Sequence, residues 1–94
     1  MSVEKVLEAR LLVDIKRRGG YCIKLLPFVE TGLPDREVIL PDGKHIYVEL
    51  KSPGNTLSAK QVVWRKRLEN LKHEYWVIDS EKAYKNFLKF IDEV

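Results

Sequence analysis

The chain has 94 residues, 45% hydrophobic and 33% charged, with a formal net charge of +3. That length implies one domain, 1–94, with a small core, and no stretch reaches the roughly 18 apolar residues of a membrane-spanning helix. Residues Met1 to Lys5 lack the apolar core of a secretory leader, and the lone Cys22 can form no internal disulfide and fits no structural zinc pattern. The expectation is an intracellular, cytoplasmic and soluble protein with Cys22 buried. The basic balance permits a polyanionic partner without demanding one.

Residues 3–18 read as a helix, with Val3, Val6, Leu7, Leu11 and Ile15 at helical spacing. Gly19-Gly20 ends it, behind Lys16, Arg17 and Arg18 in the last turn. A β-rich run covers 21–26. Residues 27–34 read as a loop, broken by Gly32 and Pro34, and 36–40 as a second strand. Pro41-Asp42-Gly43-Lys44 is a turn, and 45–51 alternate cleanly as a third strand. A second helix starts at Ser58, where Ser58 and Gln61 fit a capping box and Leu57 and Val62 a hydrophobic staple. Val62, Leu68 and Leu71 mark its expected buried side. A fourth strand spans 75–78. A last helix, 80–92, carries Tyr84, Phe87, Leu88 and Ile91 on one stripe. The order αβββαβα predicts an α/β fold with a mixed central sheet flanked by helices.

The chemistry concentrates in Pro34-Asp35 and Glu49-Leu50-Lys51. Strand alternation puts Glu49 and Lys51 on one face and turns Leu50 to the core. Two close carboxylates repel, so a site holding both usually contains a cation, and Lys beside them suits phosphodiester cleavage. The Leu50 carbonyl lies between the two functional side chains and is available to the same cation. Hairpin parity sets a condition. An even turn with Leu40 opposite His45 would put Arg36, not Asp35, against Glu49. A three-residue loop at 42–44, or a bulge near Pro34, moves Asp35 to the Glu49 face. The plain alternative is a surface ion-pair cluster.

Gly32-Leu33-Pro34-Asp35, Glu49-Leu50-Lys51-Ser52-Pro53-Gly54 and Leu57-Ser58-Ala59-Lys60-Gln61, in this order, resemble the virus-type replication-repair nuclease (VRR-NUC) domain of the PD-(D/E)xK superfamily. The resemblance runs from the first helix to about Ile78. It implies a restriction-endonuclease-like core, αβββαβ, to which the last helix is an addition. It implies a Mg²⁺- or Mn²⁺-dependent endonuclease, with Asp35, Glu49 and the Leu50 carbonyl as metal ligands and Lys51 orienting the attacking water or stabilising negative charge on the phosphate. Relatives draw a further carboxylate from the first helix. Glu8, bordering the inward face, is the first choice and Glu4 the alternate; an ordinary helix acid is the competing reading. Gln61 matches the family glutamine, beside its capping role. Stand-alone relatives of this size resemble phage proteins that act on branched or flapped DNA in replication, repair and recombination, in bacterial or phage-infected cells.

Phosphate contacts are expected from Lys60, Arg65, Lys66 and Arg67, and from Lys16, Arg17 and Lys24 with Arg18 beside them. A solvated helix face is the alternative for each group. His45 and His73 are read as exposed and inert. Trp64 and Trp76 are expected in the core or a subunit contact, with base stacking as the alternative. A nuclease this small would gain footprint as a homodimer, whose two-fold symmetry suits a four-way (Holliday) junction. Two other classes compete: a non-catalytic nucleic-acid-binding module, and a protein-interaction subunit of a larger assembly. The intact Asp35, Glu49 and Lys51 set argues against the first.

Overall fold

The structure, a computed structural model, describes residues 1–26 and 30–93. The elements run α1 (Val3–Arg17), β1 (Tyr21–Lys24), β2 (Arg36–Ile39), β3 (His45–Leu50), α2 (Ala59–Asn70), β4 (Glu74–Ile78) and α3 (Glu81–Glu93). A 3-10 turn, Pro41–Gly43, joins β2 to β3. The order is the expected one. Residues 27–29 of the expected 27–34 loop lie outside the described residues.

Local chemistry explains the helix ends. The Ser2 side chain accepts the Lys5 N–H at 3.2 Å and caps α1. After α1, Gly19 turns with φ of 78° and the Gly20 N–H returns to the Ile15 carbonyl at 3.0 Å. Ser58 and Gln61 form the complete capping box of α2. Ser80 accepts the Ala83 N–H at 3.1 Å and starts α3.

The four strands lie in the order β1-β2-β3-β4. The first three are antiparallel, and β4 runs parallel to β3. A parallel neighbour needs a crossover, which α2 supplies. One sheet face carries Val38, Ile46, Val48, Leu50 and Ile78, packed with Leu7, Leu11 and Ile15 of α1 and Tyr84, Phe87 and Ile91 of α3. Burying a ring such as Phe87 contributes roughly 1.5–3 kcal/mol, so this layer holds the fold. Arg18 grips Asp92 at 2.6 and 2.8 Å, Arg10 pairs with Glu81, and the Tyr84 hydroxyl donates to Asp14. The two ion pairs are exposed and screened by solvent, so they mainly orient α3 on α1, while the Tyr84–Asp14 bond is partly buried. No helix is long and apolar enough to cross a membrane among the described residues.

The opposite face carries Glu49 and Tyr75, with α2 above them. Leu68 is the one α2 residue buried there, and the Arg65 guanidinium lies over the Tyr75 ring, 5.4 Å from its centre. This corrects the expected buried side of α2. Val62 and Leu71 stay exposed, at 38% and 68%. Gln61 is turned to the sheet, so Val62, about 100° further round, points away. Leu71 is the C-cap residue, beyond the last helical turn. Val3 and Val6 are likewise exposed, so the buried α1 stripe begins at Leu7. Cys22 is half-buried against the core, and burial pushes its thiol up to about 11. Trp76 packs on Phe87 and Phe90 of α3, whereas Trp64 lies outside the core cluster.

Candidate active site

The β2–β3 register decides the site. Arg36 stands opposite Val48 and Ile39 opposite His45, so by the same register Asp35 stands opposite Glu49. The Leu40 N–H closes the turn on the Lys44 carbonyl at 2.8 Å, leaving three residues in the loop. The parity condition is met, with the loop at Pro41–Gly43 rather than at 42–44. Pro41 starts the 3-10 turn and Asp42 takes the left-handed conformation, φ 69°, which draws the loop one residue earlier.

Buried Pro34 anchors the start of β2 and sets Asp35 at the sheet end. The Asp35 N–H donates to Glu49 Oε1 at 3.1 Å. The Leu50 N–H donates to Asp35 Oδ2 at 2.8 Å. The Gln61 side-chain amide donates to Glu49 Oε2 at 2.9 Å, while its own oxygen accepts the Ser58 N–H at 2.9 Å. Gln61 therefore caps α2 and holds the site at once. The Lys51 ammonium lies 3.7 Å from the same Glu49 oxygen. The structure brings Asp35, Glu49, Lys51 and Gln61 together, with the Leu50 backbone among them.

Glu49 is 2% exposed. Burial first, then the charge of Asp35, pushes its carboxyl up to about 7, against the opposing pull of Lys51. Asp35 is also raised, by burial and then by Glu4 and Glu8, while the Leu50 N–H bond lowers it. Two carboxylates that burial and mutual repulsion both destabilise form a site that a cation would relieve. Their donors are hard oxygens, which suit Mg²⁺ or Mn²⁺, and Mg²⁺ commonly takes only one or two carboxylates. Tyr75 adds a second sign. Its hydroxyl is buried with no hydrogen-bond partner among the described residues, and burial and then the Glu49 charge raise its pKa. The residues present fit a hard divalent cation at Asp35 and Glu49.

The helix carboxylates are engaged elsewhere. Glu8 Oε2 accepts from Arg36 Nε at 3.0 Å, with both side chains mostly buried. Glu4 accepts from the Ser52 hydroxyl at 3.5 Å. Among the described residues, no three Asp, Glu, His or Cys side chains come together as a metal-holding group. Glu4 weighs more than Glu8 on the Asp35 carboxyl.

Of the cations, Lys60 and Arg67 line one groove on α2. Arg65 leans on Glu69 at 3.5 Å, and Lys66 is exposed. Lys24 is exposed at the Asp35 end of the sheet, paired in register with Arg36. Lys16 and Arg17 sit at the other end of α1, about 18 Å along the helix from Glu4. Arg17 there faces Asp14 at 3.7 Å. His45 is half-buried, bound to Glu37 at 2.8 Å and packed on Tyr47 and His73. It opens β3 four residues before Glu49, about 13 Å away along the strand, and stays outside the site.

Two contributors were missed in the sequence. Arg36 was legible: one residue after Asp35, it must point to the α1 face, where Glu8 lies. Tyr75 was not, because placing it beside Glu49 needs the β3–β4 register.

No family model matches the chain. A curated relative, "Putative nuclease p44" of Acyrthosiphon pisum secondary endosymbiont phage 1, is 37% identical over 78 residues, which are 83% of this chain and 84% of the relative. A solved structure described as a VRR_NUC domain superposes with a TM-score of 0.86, over 95% of this chain and 97% of its own, at 23% identity.

Proposed function

The chain belongs to the virus-type replication-repair nuclease family of the PD-(D/E)xK superfamily, and on that premise we propose a Mg²⁺- or Mn²⁺-dependent endonuclease selective for branched DNA. The observation that carries this reading is the cross-strand pair Asp35–Glu49 with Lys51 and Gln61 on the same carboxylate.

The reaction is hydrolysis. A water oxygen bonds to phosphorus and gives up one proton to solvent, while the bond to one sugar oxygen breaks and that oxygen takes up a proton from solvent. Asp35 and Glu49, with the Leu50 carbonyl, would hold the cation, and a helix carboxylate released from its partner, Glu8 or Glu4, would join them. A cation held there would supply Lewis acidity, polarising the phosphate and making a bound water more acidic. Lys51 carries the fixed positive charge beside the reacting phosphate, where it stabilises negative charge gained in the transition state. Gln61 fixes the orientation of Glu49, so a shift of the α2 start would misalign the site. Lys60, Lys66, Arg65, Arg67 and Lys24 bind the phosphate backbone without reading sequence. Lys16 and Arg17, at the far end of α1, serve a longer stretch of substrate.

Two copies about a two-fold axis would present two sites to a four-way junction, in the cytoplasm of a bacterial or phage-infected cell. Light scattering at micromolar concentration checks the dimer; only an 11.0 kDa species would refute it. The activity is tested on labelled four-way junctions, flaps and linear duplex, each with Mg²⁺, Mn²⁺ or EDTA. Cutting of the branched substrates with either metal is expected. Binding without cutting under every metal condition would favour the non-catalytic module.

A further inference from the structure

A groove of about 330 Å³ opens on α2 beside the site, at the small end of the roughly 300–1,000 Å³ typical of ligand clefts. Trp64 and the cations Lys60 and Arg67 line its helix side, and Glu30 and Thr31 its loop side. The groove lies one residue along the chain from the site: Lys60 lines it, and the next residue, Gln61, holds Glu49. The loop wall is set close, because the Gly32 α-carbon sits against the Lys60 backbone.

Trp64 is half-buried there and takes no part in the core cluster. Core packing therefore leaves this indole unexplained. The Arg67 guanidinium lies over its ring, 4.9 Å from the centre, and both Arg67 and Lys60 are exposed. An indole with one cation stacked on it and a second beside it matches the chemistry of one nucleotide: a flat base takes the guanidinium's place on the indole, and Lys60 and Arg67 meet the phosphates. A paired base within a duplex cannot offer its face, since its neighbours already cover it. Only an unpaired base can.

We propose that Trp64, with Lys60 and Arg67, forms a subsite for an unpaired nucleotide of a DNA strand next to the cleavage centre. The subsite rests on the nuclease reading and gives branch selectivity a physical basis. Substrates with an unpaired strand at the junction fill the groove, and continuous duplex leaves it empty. Glu30, the acidic member, disfavours phosphate on the loop side and so turns the strand backbone toward α2.

The test is binding in EDTA, which separates it from catalysis. Fluorescently labelled oligo(dT), a flap and a blunt duplex are titrated with wild type, Trp64→Ala and Trp64→Phe. The expected result is about tenfold or greater loss of oligo(dT) and flap affinity in Trp64→Ala, the scale of one base stack. Partial rescue by Trp64→Phe and unchanged duplex binding are expected alongside. Equal loss on all three DNAs, or none, would overturn the proposal. A Trp76→Phe protein, in which Trp64 is the sole tryptophan, supplies a second readout without touching the groove. Its emission should be quenched by oligo(dT) and not by inorganic phosphate; absence of quenching by oligo(dT) would overturn the proposal. A drop in solution mass on Trp64→Ala would assign the groove to a subunit contact and overturn it as well. If Trp64-dependent binding holds while no DNA is cut, the nuclease reading fails alone. Cutting without any Trp64 preference for unpaired strands defeats the subsite alone.

Discussion

Asp35 and Glu49 face each other across β2 and β3, with the Asp35 N–H on Glu49 Oε1 at 3.1 Å and the Leu50 N–H on Asp35 Oδ2 at 2.8 Å. Each carboxylate is tied to the other strand's end by a backbone amide. The strand pairing that builds the sheet therefore also positions the two acids, and the sheet cannot form in this register without bringing them together.

That closeness costs stability when no cation is bound, and the pH dependence follows. The Glu49 carboxyl titrates near 7 in the folded protein, against the usual value near 4.5. The folded state holds its proton more tightly than the unfolded state does. Below about pH 4.5 this group imposes no penalty; between 4.5 and 7 stability falls, because the carboxyl ionises in the unfolded chain while the fold still holds its proton. In EDTA, Tm is expected to drop across that window, and Mg²⁺ or Mn²⁺ at pH 7.5 should recover much of the loss. Glu49→Gln should flatten the slope. Thermal melts across pH with and without metal check this; a Tm that rises from pH 5 to 7 in EDTA would contradict it.

Gln61 joins the α2 cap to Glu49, and two substitutions separate its roles. Gln61→Ala removes both bonds and should lower stability by about 1 kcal/mol as well as cleavage. Gln61→Glu retains the oxygen that accepts the Ser58 N–H but sets a third carboxylate against Glu49. It should leave α2 capped, as read by amide exchange, yet raise the Glu49 pKa further and slow cleavage more than Gln61→Ala does. Faster cleavage by Gln61→Glu than by Gln61→Ala would mean that the contact with Glu49 is unimportant.

Gly32 has φ of 96°, and a Cβ there would sit 2.7 Å from the Lys60 carbonyl oxygen. Gly32→Ala should destabilise the protein by roughly 1–3 kcal/mol and push the loop off the start of α2. Urea melts measure the cost. A midpoint equal to wild type would refute the close packing of loop and helix.

The Tyr75 hydroxyl is buried without a hydrogen-bond partner among the described residues, which makes it a cost to the folded state. Tyr75→Phe should keep or raise the metal-free Tm. If the hydroxyl serves the hydrated cation site, the same change should weaken Mn²⁺ binding, measured by calorimetry. A Tm loss of several degrees with Mn²⁺ binding unchanged would assign Tyr75 a purely structural part.

Much of the fold was legible because its signals are local. The capping box at Ser58, the α3 stripe of Tyr84, Phe87 and Ile91, and the alternation of β3 all sit within a few residues. The Asp35 condition was legible as arithmetic, since parity admits two answers; choosing between them took the loop geometry, which Asp42 at positive φ decides. The partners of Glu8 and Glu4 were not legible. Both acids lie one helical turn apart on α1, and only the docking of α1 on the sheet determines that Arg36 meets Glu8 and Ser52 meets Glu4. The exposed side of α2 was misread for the same reason. Its apolar residues report what the helix offers, while the sheet beneath it sets how much is covered.

The central claim is that Asp35, Glu49 and Lys51 form a hydrolytic centre. Single-turnover cleavage of a labelled four-way junction at saturating protein tests it most directly, comparing wild type, Asp35→Ala and Lys51→Ala with Mg²⁺ and with EDTA. Wild type should cut with Mg²⁺ and stop with EDTA. Lys51→Ala should bind the junction nearly as well and cut at least about 100-fold more slowly, the scale of losing one group that stabilises transition-state charge. Equal cutting by wild type and Lys51→Ala, or cutting that persists in EDTA, would contradict the account.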